Sequence, residues 1–256
     1  MFTATLTTDY GNTEYYVASL KGNLLSACGE INIVDVTHQI PTFDIIRAAY
    51  QMKNVYSNFP PYTVHICTIN LRDANKRLLL VNRDNHFFVL PDNGLICLIF
   101  PDRKFEAYVI NDLPKTFKYK DAYLKISEVC NKLKNGTAVE DFATYTTSYY
   151  ELNTMMPIIR GDSLIGQIIH VDNYTNLISN ITKDMFYELV GNHKFLVQMR
   201  GVMIDNISLN YEEVNEGDTL AMFNESNLLQ ISIHKNIKNN LLGMKIGDSI
   251  MVDKKD

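Results

Sequence analysis

Over its first 110 residues the chain alternates short apolar runs with stretches of helical periodicity, and this alternation limits the fold more than any other feature. Thr3–Thr8 reads as a strand closing on Asp9-Tyr10-Gly11. Residues Glu14–Ala27 follow with Val17, Leu20, Leu24 and Leu25 at helical spacing. Ile31–Val36 is a second strand ending at Thr37-His38, and Phe43–Tyr56 a second helix with Asp44 in its first turn, where the macrodipole favours an acid. Val64–Ile69 is a third strand, and Leu78–Asn82 with Phe87–Leu90 forms a hairpin across Arg83-Asp84-Asn85-His86. Strand, helix, strand, helix, strand specifies a parallel sheet flanked by helices, which gathers ligands beyond the carboxyl ends of its strands. Asp9, Thr37, His38 and Asn70 stand at those ends.

Further along, Asp121–Lys134 has a helical pattern and Asn135-Gly136 stops it. Thr137–Pro157 is weakly patterned and reads as a connection between domains. From Ser163 the texture changes to short alternating runs separated by turns such as Asp172-Asn173, Gly191-Asn192 and Glu216-Gly217-Asp218. That pattern fits a small antiparallel barrel or sandwich. The expected organisation is an α/β domain over residues 1–153 and a smaller β domain over 160–256.

Composition narrows the partners. Hydrophobic residues make up 46 % of the chain and charged residues 21 %, enough apolar material for full cores. A net charge of −5 without a basic cluster argues against nucleic acid. Nothing resembles a leader peptide or a membrane span, so the expected location is the cytoplasm. Cys28, Cys67, Cys97 and Cys130 lie at least 30 positions apart, which suits buried free thiols better than a zinc site. The six histidines never fall at metal-ligand spacing, and neither metal nor cofactor is expected.

Phosphate-binding loops, dinucleotide turns, zinc-protease motifs and nucleophile elbows are all missing. What remains is the polar strand ends. Thr7-Thr8-Asp9-Tyr10-Gly11 sets a carboxylate on a tight turn before a helix, where it can accept two hydrogen bonds from a ribose diol or serve as a turn or cap residue. Val171-Asp172-Asn173-Tyr174-Thr175-Asn176 offers an acid, a ring and an amide at alternating positions, which a strand would put on one face. An Asn there can read an adenine edge and a ring can stack on the base, although an ordinary turn fits the same residues.

An ordered set of blocks gives this ambiguity a direction. Thr5–Gly11, Val17–Gly22, Ile33–His38, Phe59-Pro60, Thr63–His65, Pro91–Leu95, Asp172–Ile181, Gly217-Asp218, Asn224 and Leu228–Ser232 resemble successive segments of the S-adenosyl-L-methionine hydroxide adenosyltransferase family. The superfamily also contains fluorinases and chlorinases, but nothing in this chain suggests a halide pocket. The resemblance implies a C-terminal β-barrel domain, a homotrimer, and a pocket between the N-domain of one subunit and the C-domain of its neighbour. It assigns Asp9 to the ribose hydroxyls, Phe43 to the cover over the sugar, and Glu14, in place of an Asp, to the surroundings of the methionine ammonium. Asp172 falls at a contact to that ammonium, Tyr174 at the adenine-stacking ring, and Asn176 at the adenine edge. Glu225 and Ser226 fall in the loop that meets the methionine end.

The family surrounds its attacking water with an Asp, an Arg and a His. The block Val-Val-Asp-Pro-Gly-Val-Gly-Thr-x-Arg is here Thr68-Ile69-Asn70-Leu71-Arg72-Asp73-Ala74-Asn75-Lys76-Arg77, and Thr-Phe-His-Gly-Arg-Asp is Thr116-Phe117-Lys118-Tyr119-Lys120-Asp121. Arg77 is kept, while Asn70 and Lys118 replace the acid and the imidazole; Asp73 offers a carboxylate on the same turn. Methionine leaves as a neutral thioether, so the reaction needs an oriented water rather than an acid. Asn70 can orient water but cannot take its proton, and loss of a general base removes a factor of about 10²–10⁴. Slow hydrolysis of S-adenosyl-L-methionine to adenosine and methionine is one expectation. The alternative is a non-catalytic binder of that ligand or of adenosine.

Overall fold

The computed structural model describes residues 2–71, 77–113, 118–152, 156–235 and 243–255. The chain divides into two compact units, Met1–Thr154 and Met155–Asp256. Among the described residues no helix is long and apolar enough to cross a membrane.

The first unit is an α/β layer structure. Its elements are β1 (Thr3–Thr7), α1 (Tyr16–Cys28), β2 (Asn32–Thr37), α2 (Ile45–Val55), β3 (Val64–Cys67), β4 (Leu78–Arg83), β5 (His86–Pro91), α3 (Leu95–Ile99), β6 (Glu106–Ile110), α4 (Tyr119–Lys134) and β7 (Ala143–Tyr145). The sheet order is β2-β1-β3-β5-β4-β6-β7. β2, β1, β3 and β5 pair in parallel, and β4 pairs antiparallel with β5 and β6. Alternation along each strand feeds two cores. Ala4, Leu6, Val64, Ile66 and Val89 pack with α1 and α4 on one face, whereas Cys67, Val81, Phe88 and Leu90 pack with α2 and α3 on the other. The chain leaves β1 for β2 on one side and crosses back to β3 on the other. The open end of β1 is therefore where this order reverses, and there a crevice is expected.

Several boundaries differ from the sequence expectation. The second helix begins at Ile45 because Asp44 caps it, its Oδ1 accepting the Arg47 amide hydrogen bond at 2.9 Å, and Phe43 stays outside with φ +68°. The first helix begins at Tyr16, leaving Glu14 before it. The third strand stops at Cys67. The hairpin is tighter than expected: Arg83 pairs with His86, and Asp84 and Asn85 take φ values of +53° and +62°, as a two-residue loop demands. The stretch read as a connection contains β7, which pairs with β6 through Ala143; three residues are too few to show a period. All four cysteines are free and buried.

The second unit is antiparallel throughout its strand pairings. It comprises β8 (Ile158–Arg160), β9 (Ser163–Val171), β10 (Leu177–Thr182), α5 (Lys183–Val190), β11 (Lys194–Met199), β12 (Val202–Ile204), β13 (Thr219–Phe223), β14 (Leu228–Ile233) and β15 (Ser249–Lys255). The order β12-β11-β15-β9-β10-β14-β13, with β8 on β9, curls into a nearly closed barrel. A bridge from Ile207 to Ala221 ties the chain after β12 to β13 at the opposite margin. Strict alternation along β9 puts Leu164, Gly166 and Ile168 inward, and α5 plugs the core with Phe186.

Gly94 marks where the first unit tolerates no side chain. Its φ is +89°, and a Cβ there would meet the Leu152 side chain at 2.5 Å. Gly94→Ala is expected to cost about 2 kcal/mol or more through backbone strain and overpacking together. Chemical denaturation followed by circular dichroism checks this; an unchanged midpoint would mean that Leu152 yields freely.

Candidate functional site

Asp9 lies just past β1, and its carboxylate fastens the loops after three neighbouring strands. Oδ2 accepts hydrogen bonds from the Phe43 amide at 3.1 Å and from the Asn70 amide at 3.2 Å. Both donors sit at positive φ, +68° for Phe43 and +50° for Asn70, where a bulky side chain is unfavourable without support. A charge-assisted acceptor supplies that support. Asp9 does not cap α1, whose N-cap residue is Tyr15 and carries no side-chain cap hydrogen bond. The turn and the ribose readings of the sequence are thus compatible, because Oδ1 has no hydrogen-bond partner among the described residues.

Beside Asp9 opens a cavity of about 890 Å³. Its walls include Phe43 and Thr42 from the loop before α2, Ser19 and Asn23 from α1, and Lys120 from α4. Tyr10, Tyr15, Tyr16, Tyr119 and Tyr123 complete it. Tyr10 is the hub of the rings, 5.5 Å from Tyr16, 5.7 Å from Tyr119 and 6.1 Å from Tyr123 between centroids. Burial pushes the Tyr10 and Tyr123 phenols well above their ordinary value, and the hydrogen bond with Tyr16 raises Tyr15. All three are neutral near pH 7. The sequence reading missed this wall. The only available signal was the density of tyrosines at 10, 15, 16, 119 and 123, and nothing local says that α1 and α4 pack together.

None of the expected catalytic trio is among the described lining residues of this cavity. Asn70 joins Asp9 through its backbone, and its side-chain Oδ1 is buried without a hydrogen-bond partner among the described residues. Arg77 precedes β4 and is committed to the frame. Its Nη1 lies 3.2 Å from Asp92 Oδ2, and its Nη2 donates to the Ser148 carbonyl at 2.9 Å. Asp92 is 2 % exposed, so the guanidinium is what compensates its charge, helped by the Tyr150 amide at 2.7 Å. Lys118 is exposed at the start of α4, its amide donating to Asp121 Oδ2 at 3.1 Å, and Lys120 rather than Lys118 lines the cavity. Glu14 is exposed and outside the lining. Asp73 lies outside the described residues.

In the second unit the run from Asp172 to Asn176 is not strand-like. It is the turn between β9 and β10, with Thr175 at φ +67°. Asp172 organises it: Oδ1 accepts from the Tyr174 and Asn176 amides at 2.9 and 2.8 Å, and Oδ2 from the Asn176 side chain at 2.8 Å. The alternation argument therefore fails, because a short acid closing an Asx turn overrides the two-residue period. Tyr174 is left 82 % exposed. Glu225 and Ser226 occupy the β13–β14 turn, in which Asn224 Oδ1 accepts the Ser226 and Leu228 amides at 3.0 and 3.1 Å. Leu177 pairs with Ile231 and Thr182 with Leu228, so the two turns sit at opposite ends of β10. That is roughly 17 Å at a strand's usual rise. Within this unit they do not converge on one point.

Comparison with known proteins agrees with the two-unit division. Residues 4–143 match the SAM hydroxide adenosyltransferase N-terminal domain, and residues 166–251 match the C-terminal domain. The chain belongs to the SAM hydroxide adenosyltransferase family. A relative from Methanocaldococcus jannaschii named (R)-S-adenosyl-L-methionine hydrolase is 27 % identical, over 97 % of this chain and 94 % of its own. One of the same name from Thermus thermophilus is 23 % identical over 93 % and 94 %. An uncharacterized conserved protein from Thermotoga maritima has the same fold, with a TM-score of 0.85, 22 % identity, and coverage of 99 % and 100 %.

The family block Pro91–Leu95 has a structural explanation in this chain. Asp92 takes Arg77, the Asn93 side-chain Nδ2 donates to the Ile69 carbonyl at 2.9 Å, and Gly94 supplies the positive φ. These residues hold β3 and β5 together at the edge that carries Asn70.

Asp9→Ala should unfold the protein more easily by about 1–3 kcal/mol, because two loop amides lose their acceptor. Asp9→Asn keeps one acceptor oxygen and should retain most of that stability. Denaturation midpoints measured without ligand test this; equal losses in both variants would show that the charge, not the acceptor, holds the loops.

Proposed function

We propose that this protein binds S-adenosyl-L-methionine and hydrolyses it slowly to adenosine and L-methionine, by attack of water at C5′. The observation that carries the reading is the Asp9 carboxylate, whose Oδ1 has no partner among the described residues, lining a large cavity in a chain whose two domains both match the family. Asp9 holds the ribose diol, Phe43 covers the sugar, and Asn70, joined to Asp9 but outside the described cavity lining, offers its buried amide oxygen to the water. The ligand is itself the substrate, and the chemistry asks for no metal or cofactor. The relatives' names specify the R configuration, so the R epimer is the substrate to offer first.

The low rate follows from proton management. Asn70 accepts a hydrogen bond from water but not its proton, and the Arg77 guanidinium is shared with Asp92 and the Ser148 carbonyl. A non-catalytic binder is the second reading, and this commitment of Arg77 to the frame is the observation in its favour. Asn70→Asp with Lys118→His should raise adenosine release by about tenfold or more, toward the range a general base supplies. Each single change should give less than its share, because the groups act as a unit. Chromatography of released adenosine, corrected for spontaneous breakdown, is the assay. A double variant that binds ligand but gains no rate would favour the binder.

The site is completed in a homotrimer, as the family resemblance implies. Sedimentation should then give a species near three times the 29.3 kDa chain. A monomer at micromolar concentration would remove the shared site.

A further inference from the structure

The cavity beside Asp9 carries more aromatic surface than a sugar needs. Five tyrosines line it, contributed by the turn after β1, by the start of α1 and by α4. Their arrangement is graded. Tyr10 and Tyr123 sit in or against the core and form its base. Tyr16 and Tyr119, 5.3 Å apart between centroids, are partly exposed above them, and Tyr15, 4.5 Å from Tyr16, is 66 % exposed at the rim. Asp9 is the one carboxylate among the described lining residues, and it already accepts two amide hydrogen bonds. A positive charge entering this space therefore meets several neutral phenol rings together with the single Asp9 carboxylate of the described lining. Ring faces attract cations through their quadrupole, most strongly where water is displaced.

We propose that this tyrosine wall, with Tyr15 and Tyr16 as its accessible rings, is a specificity device that recognises the sulfonium charge of the ligand. The inference rests on the proposed binding of S-adenosyl-L-methionine and adds what distinguishes that ligand from its neutral thioether relatives. Sulfonium suits the wall because its charge is diffuse and carries no N–H to satisfy. An ammonium in the same place would leave donors without acceptors, at a desolvation cost. Lys120 on the same lining would repel a bare cation, but the ligand is a zwitterion at its amino-acid end, and its carboxylate offsets that charge. Hydrolysis removes the sulfonium, so both products lose the attraction. The wall thereby favours substrate over products.

Calorimetry with S-adenosyl-L-methionine and S-adenosyl-L-homocysteine, which lacks the methyl group and the charge, tests the idea. The wild type should prefer the sulfonium by about tenfold or more, and Tyr15→Leu and Tyr16→Leu should each reduce that preference about three- to tenfold. Tyr16→Phe keeps the ring and should keep the preference. Homocysteine-ligand affinity serves as the control for folding, and Tyr15, being largely exposed, can be truncated without disturbing the core. A wild type that binds both ligands equally, or leucine variants that weaken both alike, would overturn the wall while leaving the proposed function intact. Failure of the wild type to bind either ligand would overturn the proposed function itself.

Discussion

The Asp9 carboxylate is the constraint on which the candidate site depends. Parallel strands of a twisted sheet end in separate loops, and nothing in the ladder itself fixes how those loops approach one another. In this protein one oxygen accepts the amides of Phe43 and Asn70, which follow β2 and β3, while Asp9 itself follows β1. Both amides belong to residues at positive φ, a conformation that persists when the surroundings over-determine it. The same group that would meet a ribose thus also shapes the floor it rests on. Replacing this acid would release both loop amides, whatever the site binds.

The fold was legible where apolar periodicity was strong. The alternation of β1, α1, β2, α2 and β3 predicted the α/β layers, and turn residues predicted the antiparallel second unit. Failures came where a single polar side chain overrides a period. Asp44 caps α2 and excludes Phe43 from it, and Asp172 closes a turn where alternation suggested an extended face. β7 escaped because three residues carry no period at all, and its pairing with β6 is a tertiary fact.

The site was legible only in part, for a related reason. Asp9 and Asn70 could be chosen because strand ends are local features. The tyrosine wall could not, since Tyr10 and Tyr16 meet Tyr119 through the packing of α1 on α4, about a hundred residues apart. Arg77 illustrates the converse. Its place in the family pattern suggested a role at the reacting water, yet its nearest business is a buried aspartate that would otherwise be an uncompensated charge. A residue can satisfy a motif for architectural reasons alone.

These two demands on Arg77 bear directly on catalysis. A guanidinium has a planar fork of donors, and here one edge is shared between Asp92 and the Ser148 carbonyl, so its field at any bound water is partly cancelled by the aspartate. Moving Arg77 toward a water would strip the buried Asp92 of its charged partner. Arg77 is thereby tied to Asp92 and to the Ser148 carbonyl in this structure. In the proposed reaction Asn70 would be left to hold the water, since its buried oxygen has no hydrogen-bond partner among the described residues. An amide oxygen can hold a water in line but leaves its proton to solvent. On the proposed reading such a site would favour retention of ligand over rapid turnover, and its selectivity would come from recognising the charge that the reaction destroys.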